Sequence, residues 1–269
     1  MIRVGVLGAG GRMGQVVCRA IADDADLELV AAVDPRLGGI DLRQVLGIDA
    51  SGVQVGASIE EIERAGAHVA VDFTVADAAV DHIRWCAAHG VHAVVGTTGI
   101  ADTVMAELTD LFATSTANCV IAPNFAIGAV LMMRFAELAA PFMDGAEIIE
   151  LHHDGKVDAP SGTALRTAER MADARRAAGA PPWPADRTET EVVTGARGGE
   201  GPGGVRIHAV RLPGLVAHQE VLFGAPGQSL TVRHDAFDRS SFMPGMLLAV
   251  KGVGGRRGLT VGLDALLGF

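Results

Sequence analysis

The sequence predicts an α/β protein in which a doubly wound parallel sheet is interrupted by an inserted α+β domain with a mixed, largely antiparallel sheet. Up to about residue 123, short apolar runs rich in β-branched residues alternate with amphipathic helical segments, which is typical of a parallel sheet covered on both faces. Later apolar runs are joined by turns that contain Pro213-Gly214 and Pro226-Gly227, which favours antiparallel strands. The 269 residues, 49% of them hydrophobic, suffice for two modest domains.

The chain opens with a predicted strand, a glycine-rich turn and a helix. Ile2–Leu7 has the pattern of a buried strand, the turn reads Gly8-Ala9-Gly10-Gly11-Arg12-Met13-Gly14, and a helical pattern continues to about Ala22. Such glycines let the backbone approach a pyrophosphate, whose charge is stabilised at the helix N-terminus. The spacing departs from G-x-G-x-x-G, because Met13 holds the sixth position and the glycine follows it. The turn indicates a Rossmann-like, dinucleotide-binding unit, with a bare tight turn as the alternative.

Asp34 stands at the carboxyl end of the second predicted strand, Leu27–Val33. An acidic side chain at this place can accept the ribose hydroxyls of a dinucleotide, which favours NADH. Arg36 lies close by and can instead meet the 2′-phosphate of NADPH. The predicted cofactor is therefore NADH or NADPH, and the preference stays open. A plain turn after the strand is the alternative for Asp34-Pro35.

Three further predicted strands end in small or polar turns. These turns are Asp72-Phe73-Thr74, Gly96-Thr97-Thr98-Gly99 and Ala122-Pro123-Asn124-Phe125. Ligands of doubly wound sheets lie at the carboxyl ends of the strands. One such turn would carry little weight, but their recurrence at successive strand ends indicates the lining of a nicotinamide site.

The domain boundaries follow from these patterns. We expect a dinucleotide-binding domain at residues 1–123, completed by a last helix and strand within residues 241–269. Residues 124–240 are predicted to form a substrate-binding and oligomerisation domain. Within it, residues 179–204 are rich in Gly, Pro and Thr, which predicts a mobile surface excursion or an oligomer contact.

Residues 147–164 hold the densest set of reactive side chains, including His152, His153 and Lys156. Hydride delivery to a carbon–nitrogen or conjugated double bond leaves negative charge to be protonated, so a cationic proton donor is required, and His152 and Lys156 fit that need. Among the 22 basic residues only Lys156 and Lys251 are lysines, and a lysine, unlike an arginine, can lose its proton. Ser161-Gly162-Thr163 begins a predicted helix whose amides can hold a carboxylate, with a plain helix cap as the alternative.

Charge and spacing argue against other classes of partner. The formal charge of -10 and a pI near 5.3 do not fit a protein that binds nucleic acid or an anionic membrane. No metal site is expected, because adjacent histidines on a strand face opposite ways and the three cysteines lack paired spacing. With no basic-then-apolar leader and no apolar run of about 20 residues, we expect a cytoplasmic protein.

The motifs together resemble the dihydrodipicolinate reductase (4-hydroxy-tetrahydrodipicolinate reductase) family of bacterial lysine and diaminopimelate biosynthesis. The most specific segment is Glu150-Leu-His-His-Asp-Gly-Lys-Val-Asp-Ala-Pro-Ser-Gly-Thr-Ala164, and the turns at Gly8–Gly14, Val71–Thr74, Gly96–Gly99 and Ala122–Phe125 accompany it. The likeness covers nearly the whole chain and is weakest at residues 179–204. It also includes a later pattern, Arg211, Gly214, His218, Glu220, His234 and Arg239-Ser-Ser-Phe242.

The resemblance implies NAD(P)H-dependent reduction of a small dicarboxylate, 4-hydroxy-tetrahydrodipicolinate, to tetrahydrodipicolinate with loss of water. It implies a cytoplasmic homotetramer whose Rossmann-like domain closes on a hinge. By position, His152 and Lys156 resemble the proton donors, and His153 with Ser161, Gly162 and Thr163 the substrate contacts. The matching cofactor contacts are Gly8, Ala9, Gly10, Gly11, Arg12, Met13, Asp34, Gly96, Thr97, Thr98, Ala122, Pro123, Asn124 and Phe125.

One departure and two rival interpretations remain. Ala126 stands where the family usually has Ser, which puts a local hydrogen bond in doubt rather than the activity. An NAD(P)-dependent amino-acid or imine dehydrogenase of similar build would instead oxidise acyclic amino acids. A dinucleotide-sensing regulator would need a DNA-binding or partner segment, and the acidic charge argues against it.

Overall fold

The computed structural model describes residues 1–47 and 52–269, and the chain forms two compact units. The first comprises Met1–Ala126 and Arg239–Phe269, and the second comprises Ile127–Asp238. The chain leaves the first unit after Ala126, where the sequence predicted a boundary after residue 123. It re-enters the first unit at Arg239, where the sequence predicted residue 241. Each unit is described by itself below.

The strands and helices follow the alternation expected from the sequence. Within the described ranges the strands are, in chain order, Ile2–Leu7 (β1), Leu27–Val33 (β2), Val55–Gly56 (β3), Val69–Asp72 (β4), His92–Val95 (β5), Cys119–Ile121 (β6), Gly145–His152 (β7), Gly199–Glu200 (β8), Arg206–Arg211 (β9), Ala217–Ala225 (β10), Gln228–Ala236 (β11) and Leu259–Val261 (β12). The α-helices are Arg12–Ala22 (α1), Leu42–Leu46 (α2), Glu60–Arg64 (α3), Ala76–His89 (α4), Asp102–Thr114 (α5), Ile127–Ala139 (α6), Gly162–Ala177 (α7), Met243–Gly252 (α8) and Asp264–Leu267 (α9). Short 3-10 turns occupy Ala140–Phe142, Pro202–Gly204, Arg239–Phe242 and Val253–Gly255.

The first unit is built on a seven-stranded parallel sheet with the order β12-β6-β5-β4-β1-β2-β3. Strands β4 and β6 are buried throughout, which explains why they read as continuous apolar runs rather than as alternating ones. The strand order changes direction between β1 and β4. Ligands of such sheets bind at this switch point, beside the carboxyl ends of the strands.

The second unit contains a five-stranded sheet with the order β11-β10-β7-β9-β8. Only β7 and β9 pair in parallel, and the other neighbours are antiparallel, so the predicted mixed, largely antiparallel sheet is confirmed. Helix α7 covers it with a face of Ala164, Ala168 and Met171, which are buried in one core with Ile148 of β7 and Phe223 of β10. The spacing of these helical residues is that of one apolar helix face.

Residues 179–204, predicted as a surface excursion, are held in part by specific contacts. The guanidinium of Arg175 lies 3.7 Å from the ring centroid of Trp183 and donates to the carbonyl oxygens of Ala140, Met143 and Pro181. Strand β8 at the end of the segment pairs with β9. This pairing was not predicted, because a two-residue strand carries no periodic signal.

No helix of the described residues combines the length and the apolar character needed to cross a membrane.

Candidate active site

The glycine turn between β1 and α1 explains the unusual spacing of its glycines. Gly8 has a φ of +78°, and its N–H and that of Ala9 donate to the carbonyl oxygen of Val33 at 2.8 and 3.0 Å. A Cβ at Gly14 would lie 2.0 Å from the carbonyl oxygen of Gly8, so this position requires glycine. Helix α1 begins after Gly11, which has no side chain to cap it, and its first amides point towards the turn where an anion can bind.

Asp34 lies against this turn, as its place after β2 predicts. Its carboxylate accepts the N–H of Gly10 at 3.2 Å and the backbone N–H of Arg36 at 3.0 Å. The Arg36 guanidinium lies 3.3 Å from the same carboxylate while its side chain is 78% exposed. Burial acts to raise the pKa of Asp34, but the hydrogen bonds from Arg36 and Gly10 outweigh it and hold the pKa below its ordinary value. Asp34, predicted to bind ribose hydroxyls, and Arg36, the alternative partner for a 2′-phosphate, are therefore neighbours.

The end of β4 is held by a buried carboxylate that the site prediction omitted. Asp72 accepts the backbone N–H and the hydroxyl of Thr74 at 2.7 and 2.6 Å, and its other oxygen lies 2.6 Å from Nδ1 of His82. The Thr74 methyl group lies close to Gly8, and the Thr74 carbonyl oxygen accepts the Thr97 hydroxyl at 3.0 Å. Asp72 thus ties together the turns after β1, β4 and β5. An acid two residues before a threonine at a strand end is the signal that could have revealed it.

Phe73, in the turn after β4, packs against the turns after β5 and β6. A Cβ at Gly96 would lie 2.1 Å from Cε1 of Phe73, and the rings of Phe73 and Phe125 have centroids 5.7 Å apart. The N–H of Ala126 donates to Oδ1 of Asn124 at 2.9 Å, so this turn is closed without a hydroxyl at position 126.

All fourteen predicted cofactor residues lie in or next to turns at the carboxyl ends of β1, β2, β5 and β6. Ala9, Ala122 and Phe125 are buried, so they can support or offer backbone rather than present a side chain. The exposed members are Arg12, Thr98 and Pro123. The sheet therefore brings the set to one edge of the first unit.

In the second unit, β7 presents Glu150 and His152 on the same face, because side chains two residues apart on a strand point the same way. Nδ1 of His152 lies 2.6 Å from Oε2 of Glu150, whose side chain is 0% exposed. Arg211 of β9 donates to both oxygens of Glu150, at 2.8 and 2.7 Å. The backbone N–H of Ser161 donates to Oε1 at 3.1 Å. One buried carboxylate thus joins two strands and the start of α7.

These contacts set the protonation of the pair. Burial acts to raise the pKa of Glu150, but Arg211 and His152 outweigh it and the pKa is held below its ordinary value. Burial is also the largest influence on His152 and lowers its pKa below 6.5; Glu150 opposes this, and the charges of Lys156 and Arg211 add to it. His152 is therefore neutral at pH 7 in the ligand-free chain. A bound dianionic substrate would favour its protonated form.

Lys156 lies in the tight turn that follows β7. Its backbone N–H donates to the carbonyl oxygen of His153 at 3.2 Å, and its Nζ lies 2.7 Å from both carboxylate oxygens of Asp158. Arg211 donates to the Asp158 carbonyl oxygen at 2.7 Å and so holds the same turn. His153 lies beyond the end of β7 and is exposed.

The start of α7 divides the predicted anion-binding residues into two kinds. Ser161 is buried, its hydroxyl oxygen accepts the N–H of Ala164 at 3.2 Å, and its own N–H is bonded to Glu150. Ser161 therefore acts as a helix cap, which was the stated alternative. Gly162 is exposed, and a Cβ there would meet no atom within 4 Å. Thr163 is partly exposed. Of the three predicted residues, only Gly162 and Thr163 are therefore accessible to a ligand.

In the second unit the site prediction omitted Glu150 and Arg211, although both lie in the motifs of the family resemblance, and it also omitted a supporting pair. Gln219, opposite Glu150 on β10, donates to the Thr167 hydroxyl at 2.8 Å, and Thr167 donates to the Thr163 carbonyl oxygen at 2.7 Å. This chain of bonds holds the first turn of α7. The alternation along β7 could have identified Glu150, but nothing local identifies Arg211 or Gln219.

A cavity of about 740 Å³ lies at the opposite end of β7, where Glu147, Trp183, Arg197 and Phe223 are among its lining residues. His152 and Lys156 do not line this cavity, so its volume is no evidence for the place of the active site. In the part of the chain that the structure describes, no group of three or more His, Cys, Asp or Glu side chains is arranged to hold a metal ion.

Comparison with known proteins identifies the family. Residues 2–125 match the family model described as "Dihydrodipicolinate reductase, N-terminus", and residues 128–267 match "Dihydrodipicolinate reductase, C-terminus". The chain belongs to the dihydrodipicolinate reductase family. The 4-hydroxy-tetrahydrodipicolinate reductase of Nocardia farcinica is 52% identical over 99% of this chain and 98% of that protein. That of Cutibacterium acnes is 51% identical over the full length of both.

A solved structure supports the same conclusion. The chain is similar to a dihydrodipicolinate reductase from Paenisporosarcina sp. TG-14 with dipicolinate bound, at a TM-score of 0.86 and 41% identity, covering 98% of this chain and 99% of that one. The resemblance expected from the sequence is confirmed. This member of the dihydrodipicolinate reductase family is an oxidoreductase of lysine and diaminopimelate biosynthesis, and the Rossmann-type sheet of a reductase implies a nicotinamide cofactor.

Proposed function

We propose that this chain catalyses the NAD(P)H-dependent reduction of 4-hydroxy-tetrahydrodipicolinate to tetrahydrodipicolinate, with loss of water. The observation that carries the proposal is the grouping of His152, Lys156 and the start of α7 in one segment of the second unit, where Glu150 joins His152 to the first turn of α7. Relatives that match this chain over almost its full length bear the corresponding name.

His152 and Lys156 are the proposed proton donors. The reaction removes water from the hydroxylated ring and adds a hydride and a proton to the resulting conjugated system, so a group that releases a proton must lie at the ring. His152 carries one proton on Nδ1, held by Glu150, and can take up a second on Nε2 when an anionic substrate binds. Lys156 is cationic in its pair with Asp158 and supplies either a proton or a fixed positive charge.

The two carboxylates of the substrate need donors that lie outside the buried network. We assign this role to His153, Lys156, Gly162 and Thr163. Gly162 has open space beside it, and the helix dipole at the start of α7 favours a carboxylate there. Ser161 contributes indirectly, because its cap and its bond to Glu150 hold the first turn in place. A carboxylate that binds Lys156 would share its ammonium group with Asp158 or replace Asp158 there.

The turns of the first unit fit a nicotinamide dinucleotide, because the tight glycine turn after β1 leads into the uncapped N-terminus of α1 and has the carboxylate of Asp34 beside it. When bound, the cofactor supplies the hydride. The fourteen residues predicted from the sequence would hold it. We propose that both NADH and NADPH are accepted, since Asp34 can receive ribose hydroxyls and the exposed guanidinium of Arg36 can turn to a 2′-phosphate.

The test is a paired initial-rate measurement with freshly generated 4-hydroxy-tetrahydrodipicolinate and either NADH or NADPH. Consumption of the reduced cofactor with both would support the proposal, and consumption with one alone would overturn the dual preference. Parallel oxidative assays with NAD or NADP and the acyclic amino acids aspartate and diaminopentanoate probe the alternative. Turnover of those amino acids without reduction of the cyclic substrate would overturn the assignment.

We further propose a homotetramer, assembled through the second unit and located in the cytoplasm. The resemblance to the family supports this, and β11 offers an edge strand with mostly exposed side chains at one end of the second sheet. Light scattering after size-exclusion chromatography gives the mass in solution. A monomeric mass would contradict the assembly, and fractionation of the source cells tests the location.

A further inference from the structure

We propose that Glu150 and Arg211 are positioning residues with opposite effects on His152. Glu150 keeps the proton of neutral His152 on Nδ1, so that Nε2 is the nitrogen that takes up and delivers a proton, while Arg211 limits how strongly Glu150 favours the imidazolium. The catalytic consequence rests on the proposed function. The geometry of the three side chains does not.

The burial of Glu150 shows that it is built into the network. A carboxylate that is 0% exposed is tolerated only when it is paired, and both oxygens of Glu150 are engaged twice. Oε2 lies 2.6 Å from Nδ1 of His152 and accepts a hydrogen bond from Nη1 of Arg211. Oε1 accepts hydrogen bonds from Nη2 of Arg211 and from the N–H of Ser161. Any change in Glu150 therefore acts on the histidine and on the start of α7 together.

The charge of Glu150 decides the tautomer of His152. Arg211 and His152 hold the pKa of Glu150 below its ordinary value although burial acts to raise it, so the group is a carboxylate and can only accept hydrogen bonds. The contact of 2.6 Å therefore needs a hydrogen on Nδ1 of His152. In the neutral ring this leaves Nε2 without a hydrogen.

Arg211 opposes Glu150 because it shares the same carboxylate. The charged groups that act on His152 are Glu150 from its own strand, Lys156 from the following turn and Arg211 from β9. The residue opposite His152 on β10 is Ala217, which carries no charge. Burial is the largest influence and lowers the pKa of His152, Glu150 raises it, and Lys156 with Arg211 lowers it. Removal of Glu150 and removal of Arg211 should therefore move the titration in opposite directions.

The test is nitrogen-15 NMR of the histidine rings in the complete protein without substrate, with His152 assigned from H152Q. We expect the Nδ1–H tautomer in the wild-type protein. The midpoint of His152 should fall by about one pH unit in E150Q and rise by about one in R211Q. The control is E147Q, which changes a carboxylate of the same strand that binds His208 instead and should leave His152 unchanged.

Steady-state rates connect this network to catalysis. E150Q should lower kcat about tenfold or more in the wild-type background, but less than about threefold in the H152Q background, because the two residues act as one unit. An Nε2–H tautomer in the wild type, or shifts of the same sign in E150Q and R211Q, would overturn the proposal. If E150Q does not fold, the wild-type tautomer and R211Q still decide. Absence of hydride transfer by the wild type would count against the proposed function alone, since the titration needs no substrate.

Discussion

Strand β7 carries two clusters of a carboxylate, a histidine and an arginine, and they differ mainly in burial. At one end Glu150 binds His152 and Arg211, and its side chain is 0% exposed. Towards the other end Glu147 lies 2.7 Å from Nε2 of His208, and its side chain is 34% exposed. The residue types are the same, and both carboxylates are charged, but only the first is withdrawn from solvent.

The difference in burial changes what each cluster can do. Glu147 also binds Arg197, and these partners outweigh partial burial to hold its pKa below the ordinary value. Water screens such a pair, so it contributes only about 0–1 kcal/mol to stability. Around Glu150 the screening by water is weaker, so each charged partner acts more strongly on His152. Burial, rather than the choice of residues, thus distinguishes a cluster that tunes a histidine from one that links surface strands.

The comparison predicts unequal losses of stability. Glu150→Ala removes the carboxylate from the partly buried Arg211, from His152 and from the Ser161 N–H, and should lower the free energy of unfolding by about 3–5 kcal/mol. Glu147→Ala, the matched change on the same strand, should cost about 0–1 kcal/mol. Urea unfolding followed by tryptophan fluorescence measures both, since Trp183 reports on the second unit. Equal losses would remove the distinction between the clusters.

Lys156→Ala should lower kcat about 10³-fold, because it removes a proton donor and a fixed cation from the site. The dissociation constant of NADH, measured by fluorescence titration, should stay the same, since the predicted cofactor residues lie in the other unit. Lys251→Ala is the control, because Lys251 pairs with Asp24 and Asp26 on the first unit. A rate near wild type for Lys156→Ala would contradict the assignment of this residue.

His152→Gln should lower kcat about 10²-fold with little change in the affinity for NADH. His208→Gln alters the exposed cluster in the same way and should leave kcat within about twofold. Steady-state rates with NADH titrations distinguish the two. A comparable loss in His208→Gln would contradict a special role of the buried cluster in turnover.

The smallest expected effect is a dependence of stability on pH. The pKa of His152 is lower in the folded chain than the ordinary 6.5, so the unfolded chain binds this proton more readily. The associated stability is present above pH 6.5 and is lost as the pH falls below it, by at most about 1.4 kcal/mol per pH unit. Thermal midpoints measured across this range should fall less steeply in His152→Gln than in the wild type. Parallel slopes would argue against a neutral His152.

Much of the fold was predictable because its signals are local. The predicted strands Ile2–Leu7 and Leu27–Val33 have the same bounds as the observed β1 and β2. The short elements were missed, namely α2, α3, α9, β3 and β8. Val55–Gly56, for example, is a strand only because it pairs with β2, and two residues carry no period.

The residue types of the candidate site were predictable from the sequence, but the hydrogen bonds that connect them were not. Turns at strand ends, the spacing of glycines and the unusual Lys156 are visible in sequence. The spacing of Glu150 and His152 was visible too, since it places both on one face of a strand. Arg211 lies 61 residues beyond Glu150, so only the pairing of β7 with β9 could reveal their contact.

The sequence by itself therefore determined the fold class, the family and the reactive residue types, because periodicity and short motifs are properties of neighbouring residues. Tertiary structure alone decided that Glu150 is buried, that Arg211 and His152 bind the same carboxylate, and that Ser161 is a helix cap whose N–H is bonded to Glu150. These facts depend on which strands pair and in which register. A carboxylate acquires its effect from the solvent it loses and the partners it gains, and both are set only when distant segments pack together.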